Sequence, residues 1–436
     1  MQTNDFSNLP TSWQIKTLGE IYDITSSKRV FKDEWKTDGI PFYRARDLVS
    51  FSKNEPIKNP LFISETMYNE YSNKYGIPLE DDILVTGVGT IGIPYLVKAN
   101  EKFYFKDGNI LWFKKKASNI FSKYVYYLFL SNLLDTNSKG STVLTYTIIN
   151  AKNTKIPLPP LEIQKRIVAR LESAFEKIEK GSAHLQNAKT KLAKYKQSLL
   201  KSAFDGTLTA TASLRGVEKA ETIHKVDCHD LTSSNLAMTD KENPKLPQGW
   251  TIKTLGEVCE ILDNMRKPIN STEREQRLKN STTKYAYYGA TGQVGYIDDF
   301  LCDFESILLG EDGAPFLEPF KDKAYIVSGK YWVNNHAHIL KAKENFAINK
   351  FVCYFLNIVD YMPYVSGTTR LKLNQSAMKQ IKIPLPPLEI QKQIVKLLEK
   401  HLQHADKTGE FIESALNKAK QLKQSLLKSA FLGKLT

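Results

Sequence analysis

The sequence predicts an α+β fold. Two α/β-type globular domains are separated by two long helices that pair as an antiparallel coiled coil, and the whole is a pseudo-two-fold internal repeat. Three observations predict it. Long segments recur at intervals of 237 and 227 residues, a heptad-spaced apolar seam marks each copy, and the stretches between are rich in aromatics and short β-like runs.

The recurrences come first. Leu9-Pro-x-x-Trp13-x-Ile-Lys-Thr-Leu-Gly-Glu20 returns as Leu246 to Glu257. Ile156-Pro-Leu-Pro-Pro-Leu-Glu-Ile-Gln-Lys165 returns unchanged as Ile383 to Lys392, 227 residues on. Lys196-Gln-Ser-Leu-Leu-Lys-Ser-Ala-Phe204 returns unchanged as Lys423 to Phe431, at the same interval. Chance does not produce identical runs this long. Between these anchors, 21–155 and 258–382 share little identity. Drift after duplication is the plain explanation. The sharper one is a framework that holds a common partner while the interiors read different ligands. The expected order is a globular domain at 1–155, a spacer helix at 156–206, a polar linker at 207–245, a second globular domain at 246–382 and a second spacer helix at 383–436.

The spacer helices follow from periodicity. Pro159-Pro160 stops the preceding segment, and proline in a first helical turn costs no hydrogen bond. Val168, Leu171, Phe175, Ile178, Leu185, Leu192 and Leu199 recur at three-four spacing. The second copy has Val395, Leu398, Leu402, Ile412, Leu416, Leu422 and Leu426. Such a seam predicts pairing with another helix, and two equal seams in one chain most simply pair with each other. Antiparallel pairing would put the two variable domains at opposite ends. Ser182 and Gly409 interrupt the seam midway, which predicts a bend or loose crossing. Gly206 and Gly433 are stop signals. Residues 160–204 make a rod of roughly 68 Å, enough to follow at most about 20 base pairs at ~3.4 Å each.

Composition narrows the class. The 436 residues are 42% hydrophobic and 25% charged, an ordinary globular balance for two or three domains. Lys+Arg number 61 against 47 Asp+Glu, a net charge of +14 that favours an acidic partner such as nucleic acid or an anionic membrane. The two predicted helices carry nine of those net charges, so a basic rod would follow a phosphate backbone; a solvated helix face is the plainer account. The longest apolar run, Tyr124 to Leu134, is too short to span a bilayer, so no membrane is expected. Cys228, Cys259, Cys302 and Cys353 have no paired spacing and read as reduced thiols in a cytoplasmic protein.

Within the interiors, Ile83–Val85, Phe103–Phe105 and Ile110–Phe113 read as strands and Tyr124–Leu134 as a buried helix. Ser306–Leu309, Tyr325–Val327, His338–Leu340 and the helix Phe351–Val359 take corresponding places. Gly87-Val-Gly-Thr-Ile-Gly92 spells a dinucleotide-loop pattern, but a strand-like run rather than a helix follows it, so it reads as a tight turn between strands. His336-Ala-His338 has no Cys or carboxylate cluster beside it in sequence, so no metal is expected. His401 and His404 read as solvated. The amino-methyltransferase tetrapeptide, a phosphate-binding loop and a nucleophile elbow are all missing. The expectation is a non-catalytic protein with no cofactor of its own. Polar, basic and hydroxyl-rich loops offer duplex DNA contacts, because Arg and Lys suit guanine, Asn and Gln suit adenine, and hydroxyls suit phosphates. In the first interior the candidates are Lys28, Arg29, Arg44, Arg46, Thr86, Thr90, Lys106, Asn109, Ser141, Thr142, Tyr146 and Thr147. In the second they are Arg266, Lys267, Tyr288, Thr291, Gln293, Lys330, Asn334, Asn335, His336, Thr368, Thr369, Arg370, Lys372 and Asn374.

The repeated anchors, the two Pro-Leu-Pro-Pro-Leu-Glu-Ile-Gln segments and the Lys-Gln-Ser-Leu-Leu-Lys-Ser-Ala-Phe endings resemble the specificity (S) subunit of type I restriction-modification systems. Tyr287-Tyr-Gly-Ala-Thr-Gly-x-x-Gly295 and Leu309-Gly-Glu-Asp-Gly313 resemble a pattern common in its target recognition domains; the first interior lacks it. The resemblance spans nearly the whole chain. It implies two recognition domains, each reading half of an asymmetric bipartite double-stranded DNA target. It implies methyltransferase (M) subunits, two of them, carrying S-adenosylmethionine, and restriction (R) subunits using ATP. Two other classes stay open: the recognition part of a stand-alone methyltransferase, and a bivalent scaffold for RNA or protein.

Overall fold

The computed structural model describes residues 6, 9–134, 136, 145–209, 246–279 and 281–435. Most of the expected linker 207–245, with Cys228, lies outside them, as do Ser141 and Thr142. Among the described residues, no helix is long and apolar enough to cross a membrane. The chain divides into two compact units, one of Met1–Leu185 with Ser414–Thr436 and one of Gln186–Glu413.

In the first unit the two sequence anchors become one ribbon. Strand β1 (Gln14–Thr17) pairs antiparallel with β9 (Lys155–Leu158), Gln14 opposite Leu158. The anchor's Thr and Glu form a cap: the Thr17 amide donates to Glu20 Oε2 at 2.6 Å, and this bond first among others lowers the Glu20 carboxyl to about 2. Inside the ribbon lies an antiparallel sheet in the order β2 (Tyr22–Thr25), β8 (Ile110–Lys115), β5 (Ile83–Thr86), β6 (Pro94–Leu96). A second sheet runs β4 (Phe62–Ile63), β3 (Ile40–Tyr43), β7 (Tyr104–Phe105), with β3 and β7 parallel. Strand β5 is apolar at consecutive positions because both faces are covered. Ile83 and Val85 join Tyr124 and Leu128 of the helix Ser122–Leu130 in one core, while Leu84 joins Phe103, Phe105 and Trp112 in another.

The second unit repeats this plan with unrelated interior residues. Strand β10 (Thr251–Thr254) pairs with β19 (Lys382–Leu385), Thr251 opposite Leu385. The inner sheet runs β11 (Cys259–Ile261), β18 (Ala337–Ala342), β15 (Ser306–Gly310), β16 (Ala324–Val327), the same order as in the first unit. The second sheet, β13 (Gly292–Ile297), β12 (Tyr285–Gly289), β17 (Lys330–Val333), β14 (Cys302–Asp303), again has one parallel pair, β12 with β17.

Two helices of 44 residues each, Leu161–Phe204 and Leu388–Phe431, run unbroken. Each unit contains the start of one and the end of the other. In the first unit Leu427, Ala430 and Phe431 enter the core, with Phe431 at 5.1 Å from the Tyr124 ring. In the second, Leu199, Ala203 and Phe204 do the same, with Phe204 at 5.0 Å from Phe351. The exactly repeated Lys-to-Phe ending is therefore the plug of the other repeat's core. Pairing is antiparallel within each unit. Lys423 reaches Glu179 at 2.6 Å in the first; Lys189 pairs with Glu413 and Lys196 with Asp406 in the second. Such exposed pairs contribute at most about 1 kcal/mol each, so they mark register more than they stabilise.

Val168, Leu171, Leu199, Val395, Leu398 and Ile412 of the expected seam are buried. Phe175, Ile178, Leu185, Leu192, Leu402, Leu416 and Leu426 are half-buried. Leu422 is a correction, being 50% exposed. A 3.6-residue helix drifts off a strict heptad, and here Lys423 turns inward instead, its ammonium 5.2 Å over the Phe175 ring. No break occurs at Gly409; the space its missing Cβ leaves is met by Leu192 Cδ2, 3.6 Å from where that Cβ would lie.

The glutamine repeated in both copies has a structural cause. Gln164 is fully buried; its Oε1 accepts from the Phe121 amide at 2.9 Å, and its Nε2 donates to Asn119 O and Pro159 O. Gln391 makes the same three bonds, to Ile348, Phe346 and Pro386. Each ties the start of a long helix to the loop entering the domain's own helix. Gln391→Ala is expected to cost about 2–4 kcal/mol, since it strands buried amide and carbonyl groups. Urea unfolding would check this, and a loss below about 0.5 kcal/mol would refute the latch.

Candidate nucleic-acid interface

The strand order gathers the same four loops at one end of each unit's inner sheet. In the first unit the Ser26–Arg29 loop lies on the β7–β8 turn: Ser26 Oγ donates to Ile110 O, Ser27 Oγ to Phe105 O, and the Lys28 amide to Tyr104 Oη. The β5–β6 loop is next. The Gly87 amide donates to Asn109 O and its carbonyl accepts from the Tyr146 amide, both at 2.8 Å. A Cβ on Gly87 would sit 2.9 Å from Tyr146 O, so this crossing admits only glycine. A bridge from Val88 to Thr145 joins this loop to the chain just before the helix Ile148–Asn153. Gly87–Gly92 is thus a turn between antiparallel strands.

In the second unit the corresponding bridge joins Asp312 to Lys372, and Thr145 and Lys372 stand 227 residues apart like the repeat itself. The charges beneath this end form a closed network. Asp263 holds His338 Nδ1 at 2.7 Å, Gln375 Nε2 at 3.0 Å and Arg266 at 3.3 Å. Glu311 pairs with Arg266 and with Lys372, the latter at 3.1 Å. Burial pushes the Asp263 and Glu311 carboxyls up, yet the hydrogen bonds and charges of His338, Arg266 and Lys372 outweigh it and both lie below their ordinary values. Nearer the surface, Asp312 Oδ1 meets His336 Nδ1 at 2.6 Å and Arg370 Nη2 at 2.9 Å.

Asp263, Glu311 and His338 bring their ligand atoms within 4.8 Å of one another. The expectation that no carboxylate stands beside the two histidines is thereby corrected in space. The donor set is already committed, however: the second nitrogen of His338 faces Leu373 O at 2.8 Å, and Arg266 lies against both carboxylates.

Burial sorts the sequence-stated candidates. Thr86 is fully buried, its hydroxyl donating to Thr90 O and accepting from the Ile93 amide. Tyr146 is buried with its hydroxyl 2.8 Å from Thr154 Oγ1. Arg44 is folded onto Asp47 and Asn59 O, and Arg266 onto its acids. Asn334 is nearly buried and accepts from the His336 amide. Tyr288 is half-buried against Tyr325 and Tyr331. Thr86, Tyr146 and Asn334 are buried and do not face outward, while Arg44, Arg266 and Tyr288 are half-buried with internal partners; polar type alone does not reveal such a partner.

Lys28, Arg29, Arg46, Thr90 and Thr147 are exposed, with Lys106 and Asn109 half-exposed beside them. Arg29 leans on Asp107 at 2.9 Å. In the second unit Lys267, Thr291, Gln293, Lys330, Asn335, Thr368, Thr369, Arg370, Lys372 and Asn374 are exposed and His336 half-exposed. Thr291, Thr369 and Arg370 converge on a cleft of about 730 Å³ that Leu317 and Lys321 also line. Lys321 and Leu317 were missed by the sequence reading. Their loop is marked only by Pro315 and Pro319, which signal a turn but not its direction.

A family profile described as the type I restriction modification DNA specificity domain matches residues 10–186 and 247–417. A protein of Haemophilus influenzae named as a type I restriction enzyme specificity subunit is 35% identical over 157 residues, 36% of this chain and 38% of its own length. The type I restriction enzyme MjaIX specificity subunit of Methanocaldococcus jannaschii is 24% identical over 413 residues, covering 88% of this chain and 86% of that one. A chain solved in work on assembly and conformational transition of the type I R-M system superimposes with a TM-score of 0.67 at 18% identity, covering 98% of this chain and 99% of that chain.

Proposed function

This chain belongs to the type I restriction-modification DNA specificity family, and on that premise we propose that its two units each read one half of a bipartite duplex DNA target. One observation carries the reading. The two units share strand order, ribbon register and core plugs, yet the described residues of their tip loops have little identity. A fold kept twice with its tips rewritten suits two different half-sites on one framework. Exposed Arg, Lys and Thr at both tips, with Asn and Gln at the second, supply base-edge and phosphate donors.

The chemistry is assigned to other chains. Two methyltransferase subunits carrying S-adenosylmethionine would dock on the repeated framework, and restriction subunits would join to use ATP. The near-identical helix starts and ribbons offer one surface twice, as two copies of one partner require.

Methylome sequencing tests this. Co-expressed with its methyltransferase subunit, the chain is expected to direct methylation to a bipartite motif that is unmodified when the chain is omitted. Absence of chain-dependent methylation while both proteins co-purify would refute it.

A further inference from the structure

The geometry points to Arg274, a residue outside the loops considered above, as a DNA-contacting residue of the second unit. It would take a pair of hydrogen-bond acceptors on duplex DNA, and this rests on the DNA-reading function proposed above. Arg274 stands on the polar helix Ser271–Lys279, with its guanidinium carbon 4.3 Å from the centroid of the Tyr287 ring. Tyr287 is a fixed floor: it is buried, and its hydroxyl accepts from the Ile269 amide at 3.0 Å and donates to Ile269 O at 3.2 Å. Across the strand pair Tyr287 faces Gly295. A Cβ there would lie 2.6 Å from Arg274 Nη1, and the φ of +155° itself favours glycine. The two ends of Tyr287-Tyr-Gly-Ala-Thr-Gly-x-x-Gly295 therefore form the seat of a guanidinium, one by supplying an aromatic face and the other by supplying no side chain.

The seated cation is unneutralised. Among the described residues, no ion pair or side-chain hydrogen bond reaches Arg274, and its Nε is buried without an acceptor. Other cations of this unit differ: Arg277 on the same helix is held by Asp298 at 2.7 Å, Arg370 by Asp312 and Lys372 by Glu311. Arg274 instead lines a cleft of about 440 Å³ with Asn270, Asn334, Asn335 and His336. Stacking on a ring fixes the plane of the guanidinium, and a fixed planar fork is preorganised for two adjacent acceptors. Duplex DNA offers such pairs as O6 and N7 of guanine or as two oxygens of a phosphate.

The test compares methylomes of the complex carrying wild-type chain, Arg274→Gln and Arg274→Lys at limiting expression. Co-purification with the methyltransferase subunit, and an unchanged opposite half-site, report folding. With a guanine edge, both variants relax a single base position in one half-site, discrimination falling about 10- to 100-fold. With a phosphate, Arg274→Gln lowers methylation about tenfold with the motif unaltered, and Arg274→Lys restores it. An unchanged motif and methylated fraction in Arg274→Gln overturns the inference. So does an Arg274→Gln chain that no longer co-purifies beside an Arg274→Lys chain that behaves as wild type, since Arg274 would then be structural. If the wild-type complex itself shows no bipartite motif, the DNA-reading function fails first, and this contact with it.

Discussion

Phe431→Ala is expected to destabilise the first unit by about 3–5 kcal/mol, the cost of emptying a buried aromatic site. The second unit should change by less than about 0.5 kcal/mol, since independent distant sites do not couple strongly. Phe431 is fully buried against Tyr124, some three hundred residues earlier in the chain. Hydrogen exchange resolved along the sequence would show the effect as faster exchange in Ile83–Thr86 and Ile110–Lys115, with Ser306–Gly310 and Ala337–Ala342 unaltered. Phe204→Ala should give the mirror image, because Phe204 fills the corresponding place against Phe351 and Phe355. If either substitution loosened both units equally, or loosened the unit whose sequence surrounds it, the exchange of helix ends would be wrong.

Replacing residues 259–381 with the interior of a relative is expected to rewrite one half of the methylated motif completely and leave the other half intact. The junctions follow from the fold. The ribbon of Thr251–Thr254 with Lys382–Leu385 belongs to the repeated framework, and everything it encloses belongs to the variable domain. The incoming domain must offer an apolar face to Phe204, as Phe351 and Phe355 do here, or the core opens. Methylome sequencing of the chimaera with the methyltransferase subunit reads the outcome. A change in both halves, or in neither while methylation persists, would defeat the assignment of one half-site to each unit.

Much of the fold is legible in the repeats. Identical segments at one interval announce two copies of one unit, and the apolar spacing of Val168, Leu171 and Leu199 announces a buried helix face, because a core demands apolar residues at the period of its element. Leu422 shows the limit of the pattern, since one helical residue of drift hands its place to Lys423. The candidate interface was less legible. Arg29, Thr291 and Arg370 emerge exposed at tips, whereas Arg44, Arg266 and Thr86 look the same in sequence and are consumed by Asp47, Glu311 and a turn. Arg274 carried no signal, because an exposed polar helix hides one stacked cation among its charges.

By itself the sequence determined that there are two units, where the framework lies, and that an apolar seam joins long helices. Those properties reside in periodicity and identity along the chain. Only the tertiary structure decided which helix end closes which core, that the two unlike interiors share one strand order, and which charges are neutralised internally. Each of these depends on groups far apart in sequence meeting in space: Phe431 with Tyr124, Asp263 with His338, Tyr287 with Arg274 and Gly295. A side chain's chemistry is written in its residue type, but its availability is set by the partner that folding brings to it.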